Sequence, residues 1–356
     1  MSPARGWRAA SADRRLWVVD AACGHWQDRT MGALEDLLRP GDLLVVNDAG
    51  TVPGSLRGST ERDVPVELRL AGQVRPGLWW AVLFGRGDWR VPTEDRPAPP
   101  AVVRGTRLRF GPVGALQAEV VSRSPHSDRL VLVRFDRSGA DLIDALHQLG
   151  RPIQYSYLDE PVPVGAVQTR FGGRPWAVEM PSAGQPLSWA LLLRLQASGV
   201  GIARITHGAG LSATGDAELD ARLPLPERSD IPEDTVARIR ATKAAGGRVI
   251  AVGTSVVRAL EDRAMRHDGQ LVHGMSMSRL ILDGETRLQV VDGLLSGMHP
   301  AGESSHHEVL AAFCPAEVLA AANQAAAQAG YQAHEFGDSC LLMSGSICAP
   351  AEVRAR

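Results

Sequence analysis

The hydrophobic pattern of this 356-residue chain changes period twice, and that change limits the architectures open to it. Between Ser59 and Phe135 short runs alternate in character: Val64–Leu70, Leu78–Phe84, Leu108–Phe110, Ala118–Val121 and Leu130–Phe135, with Gly and Pro between them. A period of two turns one face of each run into a core, and closely spaced turns join such strands into a small barrel or sandwich. The Pro-rich stretch Val91–Pro100 reads as a loop inside that unit. On either side strands alternate with helices. Met31–Leu38 has helical apolar spacing, Pro40-Gly41 stops it, and Leu43–Val46 is a short buried strand ending at Asn47-Asp48. Beyond Asp141 the alternation runs through Leu187–Ala197, Gly201–Thr206, Pro232–Ala245, Arg248–Val252, Ser255–Arg266 and an Ala-rich helix within Pro315–Ala327. The simplest arrangement is an α/β domain built from residues 1–58 and 140–356, with an all-β domain of residues 59–139 inserted between them.

Charge and composition remove several kinds of chemistry. The 38 Lys+Arg against 40 Asp+Glu leave a net charge of −2, so the chain carries no global electrostatic footprint for nucleic acid. Lys243 is the single lysine and the other 37 basic residues are arginines. No G-x-x-x-x-G-K-[ST] phosphate loop exists, and a pyridoxal-phosphate Schiff base has only Lys243 to form on. Lys243 falls on a helix preceding a strand, so pyridoxal phosphate is not expected. Arginine stays charged, which leaves proton transfer to His, Asp, Glu, Tyr or Cys. Cys23, Cys314, Cys340 and Cys348 form no C-x-x-C pair, and neither a zinc site nor a disulfide framework is expected. Arg5, Arg8, Arg14 and Arg15 precede no apolar run, and no stretch approaches membrane-spanning length. The expectation is a cytoplasmic protein with no membrane partner.

Five stretches stand out as places for chemistry. The strand ending at Val252 runs into Gly253-Thr254-Ser255 and a helix carrying Arg258 and Glu261; Thr254 or Ser255 can cap it, and its first N–H groups favour an anion. His207-Gly208-Ala209-Gly210 is a second glycine turn at a strand end, where sites in α/β folds lie. Pro181-Ser182-Ala183-Gly184, with Gln168-Thr169 upstream, precedes a helix and reads on its own as a capping turn. Met298-His299-Pro300 leads to His306-His307-Glu308, whose adjacent histidines diverge on a helix and make a poor metal pair. Near the C-terminus, Phe336-Gly337-Asp338 puts an acid before the apolar Cys340–Met343.

Taken in order, these segments resemble the S-adenosylmethionine:tRNA ribosyltransferase-isomerase family of queuosine biosynthesis. Gly41–Asp48, followed by Val52-Pro53, is similar to that family's GDLLVxNDTxVxPAR segment. Gln168-Thr169 resembles YQTVYA, Pro181–Gly184 resembles PTAG, and His207–Gly210 resembles the LHVGAG turn. Gly246–Thr254 is close to GGRVIAVGTT, with Arg258 and Glu261 in place. Val291-Asp292 and His299 resemble VDxLxTNFHLP, and Phe336–Asp338 resembles FSYGD. The likeness runs from about Asp13 to Met343 and implies a distorted α/β-barrel domain with an inserted Greek-key β-barrel.

The departures matter as much. Pro186 and Leu187 stand where the family has the His and Phe of PTAGLHFT. His207 falls one residue after the family's own histidine, and such a shift reverses the face a strand residue presents. Asp216–Leu223 contains no histidine, so the expected H-x-M-H-x-E segment is absent. LPPYIR appears as Pro152–Tyr157, and TNFHLP appears as Ser296–Ala301 without its Thr-Asn pair. The resemblance implies S-adenosylmethionine as substrate, with Asn47, Gln168, Thr169, Ser182, Gly184, Gly208, Gly210, Gly253, Thr254 and Arg258 as its binding residues. His207, His299, Asp48 and Asp338 are the candidate acids and bases.

Because the losses fall on His and polar residues, the leading expectation is chemistry on S-adenosylmethionine itself or on a second small molecule. Its concrete form is cyclisation of the aminobutyrate arm to 1-aminocyclopropane-1-carboxylate with release of methylthioadenosine, without pyridoxal phosphate. The alternative is the family reaction, with tRNA the less favoured partner. Its basic face would come from Arg62, Arg69, Arg86, Arg90, Arg104, Arg107 and Arg109 of the β domain. A third reading is an inactive S-adenosylmethionine-binding protein. The oligomeric state stays open.

Overall fold

The protein was analysed as a computed structural model that describes residues 1–300 and 305–345, with the side chains of residues 305–307 excepted. In the first half, strands β1 (Arg15–Asp20), β2 (His25–Thr30) and β3 (Leu43–Asn47) are followed by six barrel strands. These are β4 (Ser55–Thr60), β5 (Pro65–Arg75), β6 (Leu78–Phe84), β7 (Arg107–Phe110), β8 (Leu116–Ser124) and β9 (Ser127–Phe135). They close in the order β8-β9-β6-β5-β4-β7, every pair antiparallel. The last-joined neighbour of β4 is β7, which returns past two hairpins to lie beside it, as in a Greek key. Closure brings the β4 and β7 backbones so near that a Cβ on Gly58 would sit 2.0 Å from the Arg109 carbonyl oxygen; only glycine fits there.

Barrel strands buried on one face should alternate, but Val66–Ala71 and Ala81–Phe84 are buried at every position. The outer face is covered as well as the inner one. Helix α1 (Gly139–Leu149) sends Leu142, Ala145 and Leu146 into the barrel's own apolar cluster, joined by Ile153, Val178 and Leu211 from the other domain.

In the second half come β10 (Gly201–His207), β11 (Glu227–Ile231), β12 (Val249–Val252), β13 (Gly274–Ser278), β14 (Gly293–Gly297) and β15 (Ser339–Met343). In place of a distorted α/β barrel, these strands and the first three form an open nine-stranded sheet, β13-β11-β10-β3-β12-β14-β15-β1-β2. Its centre, β10-β3-β12-β14, is parallel. Antiparallel pairs lie on both flanks, β11 and β13 beyond β10 on one side and β2 beyond β1 on the other. A mixed sheet with such outer pairs stays open at β13 and β2. Buried residues of helices α2 (Trp189–Ala197), α3 (Glu233–Ala244) and α4 (Thr254–Met265) join the sheet's two apolar clusters, as the continuous apolar runs of central strands require. No helix among the described residues is long and apolar enough to cross a membrane.

Candidate functional site

The carboxyl ends of the parallel strands are where an open α/β sheet places its ligands, and a cavity of about 310 Å³ lies there. Gly253, Thr254 and Ser255 after β12, Ala209 after β10, and Ser296 and His299 around the end of β14 form its sheet side. Thr93 and Glu94, from the long β6–β7 connection of the inserted barrel, form the opposite wall. A smaller cavity of about 90 Å³ adjoins it and shares Glu179, Ser212 and Thr254.

The turn into α4 has the shape its sequence demands. Gly253 has φ +97°, a conformation open to glycine, and stands as N-cap, while neither Thr254 nor Ser255 caps the helix with its side chain. No side chain caps this helix start, and its first residues Gly253, Thr254 and Ser255 line the cavity. The Pro181–Gly184 turn is not the cap of α2 either. Ser188 is, its Oγ accepting from Leu191 N at 3.2 Å, and Ser182 lines the cavity instead.

Of the fourteen sequence candidates, Ser182, Gly253, Thr254 and His299 line the larger cavity, and Gly210, Thr254 and Arg258 line the smaller. His299 Nε2 lies 3.3 Å from Ser296 Oγ. The Arg258 guanidinium is already engaged. It pairs with Glu227 and donates to the carbonyls of Leu280 at 2.8 Å and Leu225 at 3.0 Å.

The remaining candidates build the frame behind the cavity. The Asn47 carboxamide clamps β3 to β10, donating to the His207 carbonyl and accepting from His207 N, both at 2.9 Å. Asp48 accepts from Thr206 Oγ1 at 2.6 Å. Gln168 pairs its amide with both backbone groups of Thr51, at 3.0 and 2.8 Å. Thr169 is buried, Gly184 packs against Phe171, and Gly208 packs against the Trp176 carbonyl. Asp338 accepts from Arg8 at 3.2 Å and from Gln332 N at 2.8 Å. His207 is wholly enclosed; burial, then the Arg258 charge, lower its pKa to about 3, so it is neutral. The 3.5 Å approach of its Nε2 to Glu227 is therefore not an ion pair. Of the His306-His307-Glu308 stretch, the two histidine side chains lie outside the described residues. Arg69, offered above as part of a basic face, is 1% exposed and paired with Glu67, whereas Arg62, Arg86, Arg90, Arg104 and Arg107 are exposed.

The cavity's most distinctive residues are not among the sequence candidates, although Tyr155 and Tyr157 fall in the Pro152–Tyr157 stretch that resembles LPPYIR. Tyr155 donates its hydroxyl proton to Glu179, and Tyr157 donates to Glu335. The two phenol rings stack with centroids 6.0 Å apart, and His334, at φ +70°, stacks on Tyr157 at 4.5 Å. Burial first, then the neighbouring carboxylates, push both phenol pKa values well above normal, so both stay protonated donors. Glu179 is pushed up to about 7, by burial and then by the negative charge of Glu335. Its one mark in the sequence is its place two residues before the Pro181 turn.

A closed Greek-key barrel inserted into a mixed α/β sheet, over a cavity at the strand ends, defines a two-part α/β protein with a ligand-sized cavity. The same fold is found in an S-adenosylmethionine tRNA ribosyltransferase from Thermotoga maritima, whose crystal structure superposes with a TM-score of 0.50 over 96% of both chains at 21% identity. Residues 4–342 match the family described as queuosine biosynthesis protein. An S-adenosylmethionine:tRNA ribosyltransferase-isomerase from Thermus thermophilus is 33% identical over 320 residues, 87% of this chain and 86% of that one. One of the same name from a Bradyrhizobium strain is 32% identical over 345 residues, 92% and 90% of the two chains. This chain belongs to the queuosine biosynthesis protein family.

Proposed function

We propose that the protein consumes S-adenosylmethionine and transfers its ribosyl carbons to tRNA, the reaction for which its relatives are named. The observation that carries the donor assignment is the charge of the larger cavity. Glu94, Glu179 and Glu335 line it, and among its described lining residues there is no Lys or Arg, in a chain of 37 arginines. Such a cavity repels phosphates and suits a fixed cation such as a sulfonium. The start of α4 at Gly253–Ser255 suits the carboxylate of the aminobutyrate arm, and the stacked Tyr157 and His334 offer a face for adenine. The sulfonium acidifies neighbouring C–H bonds and makes a thioether a good leaving group. Deprotonation beside sulfur then begins transfer of the ribosyl carbons to the deazaguanine base, releasing adenine and methionine. The exposed arginines of the barrel are suited to the anticodon stem-loop, and tRNA places the work in the cytoplasm.

A second reading, cyclisation of S-adenosylmethionine to 1-aminocyclopropane-1-carboxylate, rests on the family histidines that Asp216–Leu223 lacks. No residue of Asp216–Leu223 lines the larger cavity, and in that segment Asp216 is instead bonded to Ser127 of the barrel. One experiment separates the two. Pure protein is incubated with S-adenosylmethionine, with and without tRNA bearing the precursor base. Adenine, methionine and modified tRNA are the expected products, and tRNA binding should weaken steeply with salt. Methylthioadenosine and the cyclic amino acid from S-adenosylmethionine alone would select the second reading. Consumption by neither route would overturn both.

A further inference from the structure

Glu179 stands where both cavities meet, and its two oxygens have different surroundings. Oε1 accepts from the Tyr155 hydroxyl and from Ser212 N at 3.1 Å, while Ser212 Oγ donates to the Tyr155 oxygen at 3.1 Å. Oε2 accepts no hydrogen bond among the described residues and is not sealed from the cavity. Among the described residues no guanidinium is paired with this carboxylate. Of the sequence candidates for a base, Asp48 and Asp338 line neither of these cavities, His207 is enclosed behind them, and His299 lines the larger cavity with its Nε2 held 3.3 Å from Ser296 Oγ.

We propose that Glu179, oriented by Tyr155 and Ser212, is the base that removes the proton from the carbon beside the sulfonium. This rests on reading the donor as S-adenosylmethionine. In the step, Glu179 Oε2 takes the proton, and the C–H electron pair remains on carbon beside the positive sulfur as an ylide. Glu179 becomes a neutral acid and gives its proton to water when the products leave, so no oxidant or reductant is needed. The groups facing Glu179 are Tyr155, Tyr157, Ser212 and Glu335; Glu94, His299 and His334 line the larger cavity with it, and the paired Glu227 and Arg258 line the smaller. Burial and Glu335 hold the carboxyl near neutrality, where a base is both partly ionised and strong enough to act.

The test is E179Q, whose amide oxygen can still accept from Tyr155 and Ser212. Turnover, and exchange of the sulfonium-adjacent protons with deuterated water, should fall by about 100-fold or more. S-adenosylmethionine binding measured by calorimetry should weaken far less than turnover, because Glu94 and Glu335 still line the cavity around the sulfonium. The wild-type rate should climb about tenfold per pH unit below 7 and level off above it, since only the carboxylate accepts a proton. Y155F removes a donor to that carboxylate and should move the midpoint upward, a change that mere loss of packing does not produce. An E179Q enzyme within about threefold of wild-type turnover, on the scale expected of a catalytic base, would refute the role while leaving the donor assignment intact. Wild-type protein that neither binds nor consumes S-adenosylmethionine would refute the donor assignment, and this role with it.

Discussion

Two glutamates, one buried in the barrel and one half-buried at the end of the sheet, show how the same residue is made into a strut or a reagent. Glu67 on β5 is 2% exposed. Burial would raise its pKa, but Arg69 at 2.8 Å and Arg96 at 2.6 Å bring it below the usual carboxylate range. Glu179 is raised to about 7 by burial and by Glu335, with no cation paired to it among the described residues. Desolvation acts on both; the presence of a partner cation decides which stays ionised. Within the barrel, a carboxylate locked between two guanidiniums holds the loop of Arg96 to β5. At the cavity, a carboxylate without one can gain and lose a proton at neutral pH.

The sharpest way to break this contrast is to remove a guanidinium. R96L leaves Glu67 buried with half of its compensation, and unfolding free energy in denaturant should drop by about 3–5 kcal/mol. E179Q removes a charge that has no cation, so stability should change by less than about 1 kcal/mol even as activity collapses. A loss at Glu179 equal to that at Arg96 would mean that both glutamates are structural.

His207 extends the comparison to pH. Its folded pKa of about 3 lies below the unfolded value. The unfolded chain therefore binds the extra proton as pH falls below about 6.5, and stability drops by up to about 1.4 kcal/mol per pH unit toward pH 3. H207L should flatten that slope between pH 6 and 4 in thermal melts, with little change at pH 8, where both forms are neutral. The smallest effect is expected for S212A. Loss of one hydroxyl behind Tyr155 should cost about 1 kcal/mol and leave Glu179 its bonds from Tyr155 and Ser212 N. A pH–rate profile for S212A shifted less than that of Y155F would place Tyr155 ahead of Ser212 in orienting the base.

Much of the frame was legible in the chain. The apolar runs at Leu43–Val46, Gly201–Thr206 and Arg248–Val252 lie within a residue or two of β3, β10 and β12, because a strand buried on both faces needs a continuous apolar stretch. The period-two runs mark the barrel strands for a similar reason. Yet the alternation that identifies β5 also misleads about Glu67 and Arg69, which fall on the face opposite Val66, Leu68 and Leu70. A local pattern assigns that face to water; the loop carrying Arg96 and the neighbouring domain bury it. The site divided in the same way. Glycine turns at Gly210 and Gly253 mark strand ends and could be found in one dimension. Tyr155, Glu179, Ser212 and Glu335 come from four separated segments, and no spacing connects them.

The sequence by itself determined the family, the inserted all-β unit and the strand ends on which a site can stand, because these depend on motif order and on hydrophobic period along the chain. The tertiary structure decided that the large sheet is open, which arginines leave the surface, and which carboxylate at the cavity lacks a cation. Charge compensation acts through space over a few ångströms, between residues that the chain keeps far apart.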